Sequence, residues 1–265
     1  RESTGQRIWT QHSAMPQMIG QHMRHRLCAL ITFFALGAAS FGAGSATAVQ
    51  PASETGRFEV YFAGLKAGEV RFAMTRENGQ YAATGRVKSS GLIAAIARFR
   101  YRADVTGRVN GDSYAPLRYE ESLDTGRRSS DKVIAYRGGL PVLEESEEPD
   151  AHWLDPRSQG DALDPLTAFW QLLRARDGDD LCRLDTVYFD GERRIRLTTS
   201  EDSRATDRVV CKGRYIREGG FSRKALKEGR TFPFELSYAP AASGHWQVSR
   251  IDAKTLRGRV LLIRR

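Results

Sequence analysis

Few residues of this 265-residue sequence have the types and the spacing that catalysis or metal binding requires. Beyond residue 48 the chain contains two histidines, His152 and His245, and two cysteines, Cys182 and Cys211. Neither histidine stands in a context typical of a general base, and the spacings are not those of zinc or redox motifs. The sequence also lacks G-x-S-x-G, H-E-x-x-H, a Walker loop and a G-x-G-x-x-G turn. The common hydrolases and nucleotide-dependent enzymes are therefore disfavoured, and we predict no metal and no cofactor.

Acidic residues are the remaining candidates for chemistry. A pair of carboxylates can hydrolyse a glycosidic bond, but the chain offers many pairs, and their separation depends on the fold. The acidic stretch over residues 144–161, EESEEPDAHWLDPRSQGD, lacks the spacing of a calcium-binding loop. We interpret this stretch as a long exposed connection, and we name no catalytic residue.

The first 48 residues predict export of the chain. Residues 23–48 begin with a basic segment, continue with about 13 mostly apolar residues (27–39) and end in Ala46-Thr47-Ala48. This order is typical of a signal peptide cleaved after Ala48, and the apolar stretch is shorter than the ~20 residues of a membrane-spanning helix. We expect residues 1–22 to be an upstream extension, residues 23–48 a signal peptide, and residues 49–265 one periplasmic domain without a transmembrane anchor.

The cysteine count agrees with this expectation. Removal of the leader would leave Cys182 and Cys211 as the only cysteines. In an oxidising compartment such a pair favours one structural disulfide, with a redox pair or a metal site as the alternatives.

Residues 49–265 have a basic balance, with 37 basic and 31 acidic residues. An exported protein seldom meets nucleic acid, so we exclude nucleic acid as a partner. Many arginines alternate with apolar residues, as in RFRYRADVTGRV over residues 98–109. We expect them on a solvated outer face, and anionic lipid or polysaccharide head groups are the functional alternative.

Period-two alternation of apolar and polar residues recurs along most of residues 57–264, which predicts β-strands. RFEVYFAG and GEVRFAMT are joined by the turn LKAG and predict a hairpin. Further strands are predicted over residues 80–88, 99–109, 116–123, 130–137, 140–144, 183–190, 193–199, 208–217, 231–238, 246–253 and 257–264. The predicted fold is mostly β: a curved antiparallel sheet or incomplete β-barrel of about 10–12 strands with one or two short helices.

Two segments interrupt the strand pattern. The apolar run at residues 92–97 predicts a short helix that fills or covers the concave side of the sheet. A second helix is predicted after Asp164, with Asp164 as its N-cap, Pro165 at its first position and Gly178 as its stop. Its apolar face comprises residues at helical spacing, namely Leu166, Phe169, Trp170 and Leu173.

Four stretches occur together in a recognisable order. FEVYFAGLKAGEVRF, LDPLTAFWQLL, YFDGERRIRL and the downstream Cys211 resemble the exported bacterial family known as domain of unknown function 3108, over about residues 57–264. The resemblance implies a periplasmic, mostly β protein of no established activity, and it supplies no catalytic residues.

Three functional hypotheses remain open. The first is a periplasmic carrier or binder of an apolar or lipid-like envelope component, by analogy of shape with half-barrel lipoprotein carriers. The second is a structural or interaction protein of the envelope with a fully packed barrel, and the third is an envelope hydrolase without a standard motif. Under the first hypothesis, Arg or Tyr at the cavity mouth would meet an anionic head group. The apolar lining would comprise Phe58, Val60, Phe62, Val70, Phe72, Phe99, Tyr101, Val105, Phe232, Phe234 and Leu236. The oligomeric state is open.

Overall fold

The computed structural model describes residues 52–91, 94, 98–144 and 149–265. The expected leader, the extension before it and most of the apolar run at residues 92–97 lie outside the described residues.

The described chain forms one thirteen-stranded antiparallel sheet. Its order is β7-β6-β5-β4-β3-β2-β1-β13-β12-β11-β10-β9-β8, so two meanders meet where β1 pairs with β13. The strands are β1 Ala52–Phe62, β2 Leu65–Glu77, β3 Gln80–Ser89, β4 Arg100–Asn110, β5 Ser113–Asp124, β6 Ser129–Arg137, β7 Leu140–Leu143, β8 Asp185–Phe189, β9 Arg194–Arg204, β10 Val209–Gly219, β11 Thr231–Pro240, β12 Trp246–Thr255 and β13 Gly258–Arg264. The predicted fold class is confirmed.

The sheet is not closed, because β7 and β8 form its two edges. The edges nevertheless approach each other: Lys132 on β6 donates a hydrogen bond of 2.8 Å to the carbonyl of Asp190, just after β8. The connection that precedes the first helix lies along the β8 edge. There the Leu163 amide donates a hydrogen bond to the Val187 carbonyl (2.9 Å), and the Phe189 amide donates one to the Leu163 carbonyl (2.9 Å).

Residues 144–161, predicted to be an exposed connection, are exposed or half-buried at every described position except Gln159. Gln159 is 5% exposed, and the neighbouring Ala162 is 4% exposed. An unpaired strand edge needs hydrogen-bond partners, and at β8 the backbone of Leu163, just after this connection, supplies them.

Helix α1, Pro165–Leu173, begins as predicted: the Asp164 carboxylate accepts the Thr167 amide at 2.9 Å, and Pro165 follows the cap. It ends at Leu173, so Gly178 is not its stop. The helix ends early because the next residues find partners elsewhere. The Ala175 amide donates to the Glu54 carboxylate, and Arg176 pairs with Trp246 through two backbone hydrogen bonds.

Helix α1 lies on the concave side of the sheet. Tyrosines from three strands fix it there: Tyr81 bonds to Thr167 (2.8 Å), Tyr114 accepts from Trp170 (3.0 Å), and Tyr238 donates to the Leu172 carbonyl (3.3 Å). Trp170, Leu172 and Leu173 are buried, whereas Phe169, predicted on the buried face, is 40% exposed. A second helix, α2 (Arg223–Glu228), joins β10 to β11 and was not predicted.

The predicted disulfide is confirmed. Cys182 and Cys211 are bonded, with their Cα atoms 5.3 Å apart. Both are buried, and the bridge links the segment after α1 to β10 in the core.

Candidate functional site

The two ends of the sheet differ in what they carry. The turns β2–β3, β4–β5 and β6–β7 lie at one end, which also receives the C-terminus of α1 through an ion pair between Arg174 and Asp112 (3.0 Å). The turns β1–β2 and β12–β13 lie at the other end, as the pairing of Phe62 with Val260 requires. We refer to these as the helix end and the cavity end.

A cavity of about 690 Å³ lies between α1 and the concave side of the sheet and reaches the cavity end. Its apolar wall comes from β2, β3 and β11–β13 and from the exposed face of α1. The volume falls within the range of about 300–1,000 Å³ that is usual for small-molecule sites. The apolar contributors include Val70, Val87, Leu166, Phe169, Ile251 and Leu262.

Glycine makes room for this arrangement at one position. A Cβ atom at Gly85 on β3 would lie 2.8 Å from a methyl carbon of Leu166. The helix can therefore approach β3 closely, and the cavity passes beside this contact.

The eleven residues predicted to line a cavity occupy three kinds of position. Five lie at the wall: Val70, Phe72, Tyr101, Phe232 and Phe234. Three are packed in the core with no more than 2% exposure: Phe58, Val105 and Leu236. The other three are not at the wall: Val60 and Phe62 are half-buried on β1, and Phe99 is 39% exposed just before β4.

Packing explains why the alternation alone could not separate these groups. Phe58 and Phe72 share the concave side, and their rings are 6.2 Å apart. Phe72 also meets Trp170 of α1 at 6.0 Å, so the helix decides which inward residues are covered. On β1 the register shifts between Val60 and Tyr61, which interrupts the predicted face.

β12 was not among the strands predicted to line a cavity, and the Arg or Tyr expected at the cavity mouth was not assigned to particular residues. Ile251 and Ala253 line the cavity, and their period-two spacing in WQVSRIDAKT was a usable signal. Three cationic side chains border the cavity, and no aspartate or glutamate does so among the described residues: Arg217, Lys254 and Arg257. Arg71 and Arg86 also belong to the wall, but their side chains lie on the outer face of β2 and β3.

Arg217 on β10 has an unusual environment. Its guanidinium lies 4.8 Å from the ring centroid of Phe232 and 5.0 Å from that of Phe221. Its Nη1 donates to the carbonyls of Ala225 (2.6 Å) and Gly229 (2.9 Å). Its Nε is buried without a hydrogen-bond partner, and no ion pair joins it to a carboxylate of the described chain. The group is thus held in place with its charge uncompensated, beside an apolar cavity.

A polar network lies behind Tyr101 at the cavity wall. The hydroxyls of Tyr101 and Tyr119 are 2.6 Å apart, and both donate to Glu121, at 3.1 and 2.5 Å. Burial raises the pKa of Tyr119 well above its usual value, so this hydroxyl keeps its proton. Because Glu121 already accepts two hydroxyl donors, the network positions Tyr101 at the wall.

The histidines lie away from the cavity. His245 is exposed, and its Nδ1 is 2.9 Å from Asp177, while His152 lies in the connection before α1. Within the described residues, no three His, Cys, Asp or Glu side chains are grouped as metal ligands would be. None of the helices in this part of the chain has the length and apolarity needed to cross a bilayer.

Comparisons with known proteins identify a family. No curated protein and no solved structure matches the sequence. One family model matches residues 57–218, which is more than half of the chain and includes the sheet from β1 to β10 and helix α1. This chain therefore belongs to the family described as protein of unknown function DUF3108.

Proposed function

We propose that this protein binds one amphiphilic molecule in the cavity, with its apolar part against the sheet and its anionic group near Arg217. The observation that carries the proposal is an apolar cavity of ligand size whose charged border side chains, among the described residues, are the cations Arg217, Lys254 and Arg257. Sites of this kind fix a ligand by a large apolar contact and a few placed polar groups.

The sign of the charge selects the ligand class. Arg217, Lys254 and Arg257 border the cavity without an ion pair to any carboxylate in the described chain. A cationic head group would meet only like charge there, whereas a carboxylate or phosphate would supply the missing partner. A guanidinium can bind either group through two parallel hydrogen bonds.

The alternative hypothesis of a fully packed barrel is less well supported, because α1 fills only part of the concave side. The hydrolase hypothesis lacks a nucleophile with an adjacent base at the cavity wall. Among the described residues that line it, the polar side chains are those of Thr84, Tyr101, Tyr215, Thr255 and the cations Arg217, Lys254 and Arg257.

The proposed location is the periplasm. The basic, apolar and small-residue order of residues 23–48 supports export. The buried disulfide between Cys182 and Cys211 is consistent with an oxidising compartment. We propose that the ligand is a component of the cell envelope.

Displacement of a fluorescent fatty acid tests the proposal. We expect the parent protein to bind the probe, and Lys254→Gln combined with Arg257→Gln to weaken binding at least fivefold. Arg214→Gln is the matched control, because Arg214 is exposed on β10 and does not border the cavity.

Native mass spectrometry of protein purified gently from cells provides a second measurement. A bound species of lipid mass would support the proposal. A folded protein that retains no ligand and binds no probe would contradict it and favour the structural hypothesis.

A further inference from the structure

Three successive connections at the cavity end expose large apolar side chains. Phe99 precedes β4, Leu65 follows the β1–β2 turn, and Leu256 lies in the β12–β13 turn. Their exposed fractions are 39%, 55% and 53%. The strands that they connect are neighbours in the order β4-β3-β2-β1-β13-β12, so the three side chains lie along one continuous rim. We refer to these three residues as the apolar rim.

Turn chemistry does not explain the apolar rim. The tight turns at the helix end have the expected composition: Asn78-Gly79, Gly111-Asp112 and Gly138-Gly139. At the cavity end, Leu256-Arg257 occupies the corresponding two-residue position between Thr255 and Gly258. Leucine has no special role in a turn, and here it leaves apolar surface exposed to water. The β1–β2 turn at the same end, Ala63-Gly64, has the expected glycine, so the exposed leucine of the β12–β13 turn points to a surface that the cavity end contacts.

Cations adjoin the apolar rim on the outer face of the same strands. Lys88 stands directly opposite Arg100, and Arg86 stands opposite both Arg71 and Arg102. Like charges in directly opposed positions destabilise a sheet. These residues border a surface groove of about 490 Å³. Glu69 stands opposite Lys88 and Asp124 stands opposite Arg100, but within the described chain no salt bridge joins either pair, and Arg86 has no carboxylate opposite it on β2 or β4. Glu69 binds Arg71, and Asp104 binds Arg102.

Lys254 and Arg257 place two more positive charges beside Leu256, at the border of the cavity. Apolar side chains at the tips of turns, with cations set back from them, match the layered chemistry of an anionic bilayer surface. The tips can enter the boundary between head groups and acyl chains while the cations meet the phosphates.

We propose that the cavity end docks on the surface of an anionic lipid bilayer through the apolar rim and the neighbouring cations. This docking surface goes beyond the proposed ligand site, because it requires neither Arg217 nor an occupied cavity. It also accounts for the excess of cations over carboxylates at the outer groove, where five cations face two carboxylates.

Flotation with lipid vesicles tests the docking surface. The purified, full-length processed protein is mixed with vesicles of phosphatidylcholine alone or with 30% phosphatidylglycerol. We expect binding to the anionic vesicles and a marked decrease when salt is raised from 50 to 500 mM. We expect Leu65→Asn combined with Phe99→Asn to reduce that binding at least tenfold. Both positions lie outside the cavity wall, so displacement of the fatty-acid probe should be unchanged.

Leu117→Asn combined with Leu140→Asn is the matched control. These leucines are each 41% exposed, and they lie away from the cavity end, on β5 and at the start of β7. The control should bind anionic vesicles as the parent does, and circular dichroism should show that both variants are folded.

The proposal is overturned if the parent does not float with anionic vesicles, or if the rim variant and the control lose binding equally. Its failure is distinguishable from that of the ligand site. A parent protein that floats with anionic vesicles but binds no fatty-acid probe would contradict the ligand site alone. A parent protein that binds the probe but does not float would contradict the docking surface alone.

Discussion

Asp164 is a buried carboxylate at the start of an interior helix. Its relative exposure is 0%, and one of its oxygens, Oδ2, has no hydrogen-bond partner. Burial raises the pKa of this carboxyl group from 3.8 to about 6, against the opposing effect of hydrogen bonds from Thr167. Its cap on α1 therefore combines a favourable hydrogen bond with an unfavourable charge at neutral pH.

Asp164→Asn should show how much the buried charge of Asp164 lowers the unfolding free energy at neutral pH. Because the folded pKa lies above the unfolded one, protonation favours the folded state. This contribution is complete below pH ~4 and is lost as pH rises through about 6. Asparagine keeps a capping oxygen without titrating. From pH 4 to pH 8 the variant should therefore gain about 2 to 3 kcal/mol in unfolding free energy relative to the parent.

Urea unfolding of both proteins at the two pH values measures this difference. The comparison cancels the other carboxyl groups whose pKa is raised by burial, such as those of Glu54 and Asp190. If the difference in unfolding free energy between parent and variant is the same at both pH values, Asp164 stays ionised in the folded protein throughout this range.

The disulfide is the covalent link between the two elements that flank β8 and β9. It joins Cys182 to Cys211 across a sequence separation of 29 residues. In the chain-entropy account, opening such a loop costs roughly 3 to 4 kcal/mol. We expect Cys182→Ala combined with Cys211→Ala to lower the unfolding free energy by this amount in urea, and reduction of the parent to have a similar effect. A loss below about 1 kcal/mol would contradict a stabilising role.

Strands were more predictable from the sequence than the positions of side chains relative to a cavity. Period-two alternation depends on adjacent residues, so the bounds of β3, β6 and β13 fall within one residue of the predicted ranges. Whether an inward residue is packed or lines a cavity depends on what lies opposite. Phe58 and Val70 follow the same pattern, yet Phe58 is fully buried and Val70 borders the cavity.

The helix illustrates the same limit. Its start was predictable because capping by Asp164 and Pro165 is local. Its end was not, since it depends on Glu54, which is 121 residues away in sequence from its partner Ala175. Arg or Tyr was expected at the cavity mouth, but the individual residues could not be named, because a guanidinium such as that of Arg217 looks like any exposed arginine until its neighbours are known.

The whole sheet is held in its curved form at one seam. Across it, Lys132 on β6 donates to the Asp190 carbonyl and to Glu192 (2.9 Å), and its Nζ lies 3.8 Å from Glu121. These three charged side chains are only 17–19% exposed. The ladder of strand hydrogen bonds is absent here, so side chains and the stretch before α1 replace it.

Lys132→Met should therefore loosen the seam without unfolding the rest of the sheet. Methionine fills similar volume but leaves the carboxylates of Glu121 and Glu192 without their shared cation. Removing one partner of a buried pair costs 3 to 5 kcal/mol, and partial exposure lowers our expectation to about 2 kcal/mol. Hydrogen exchange followed by mass spectrometry should show faster exchange in β7 and residues 154–163, with β1 and β13 unchanged.

Arg118→Met is the matched control, because Arg118 pairs with Glu120 and Glu144 on the exposed outer face. Uniform acceleration across all strands in the Lys132 variant would mean that the sheet opens as one cooperative unit and that the seam has no separate stability.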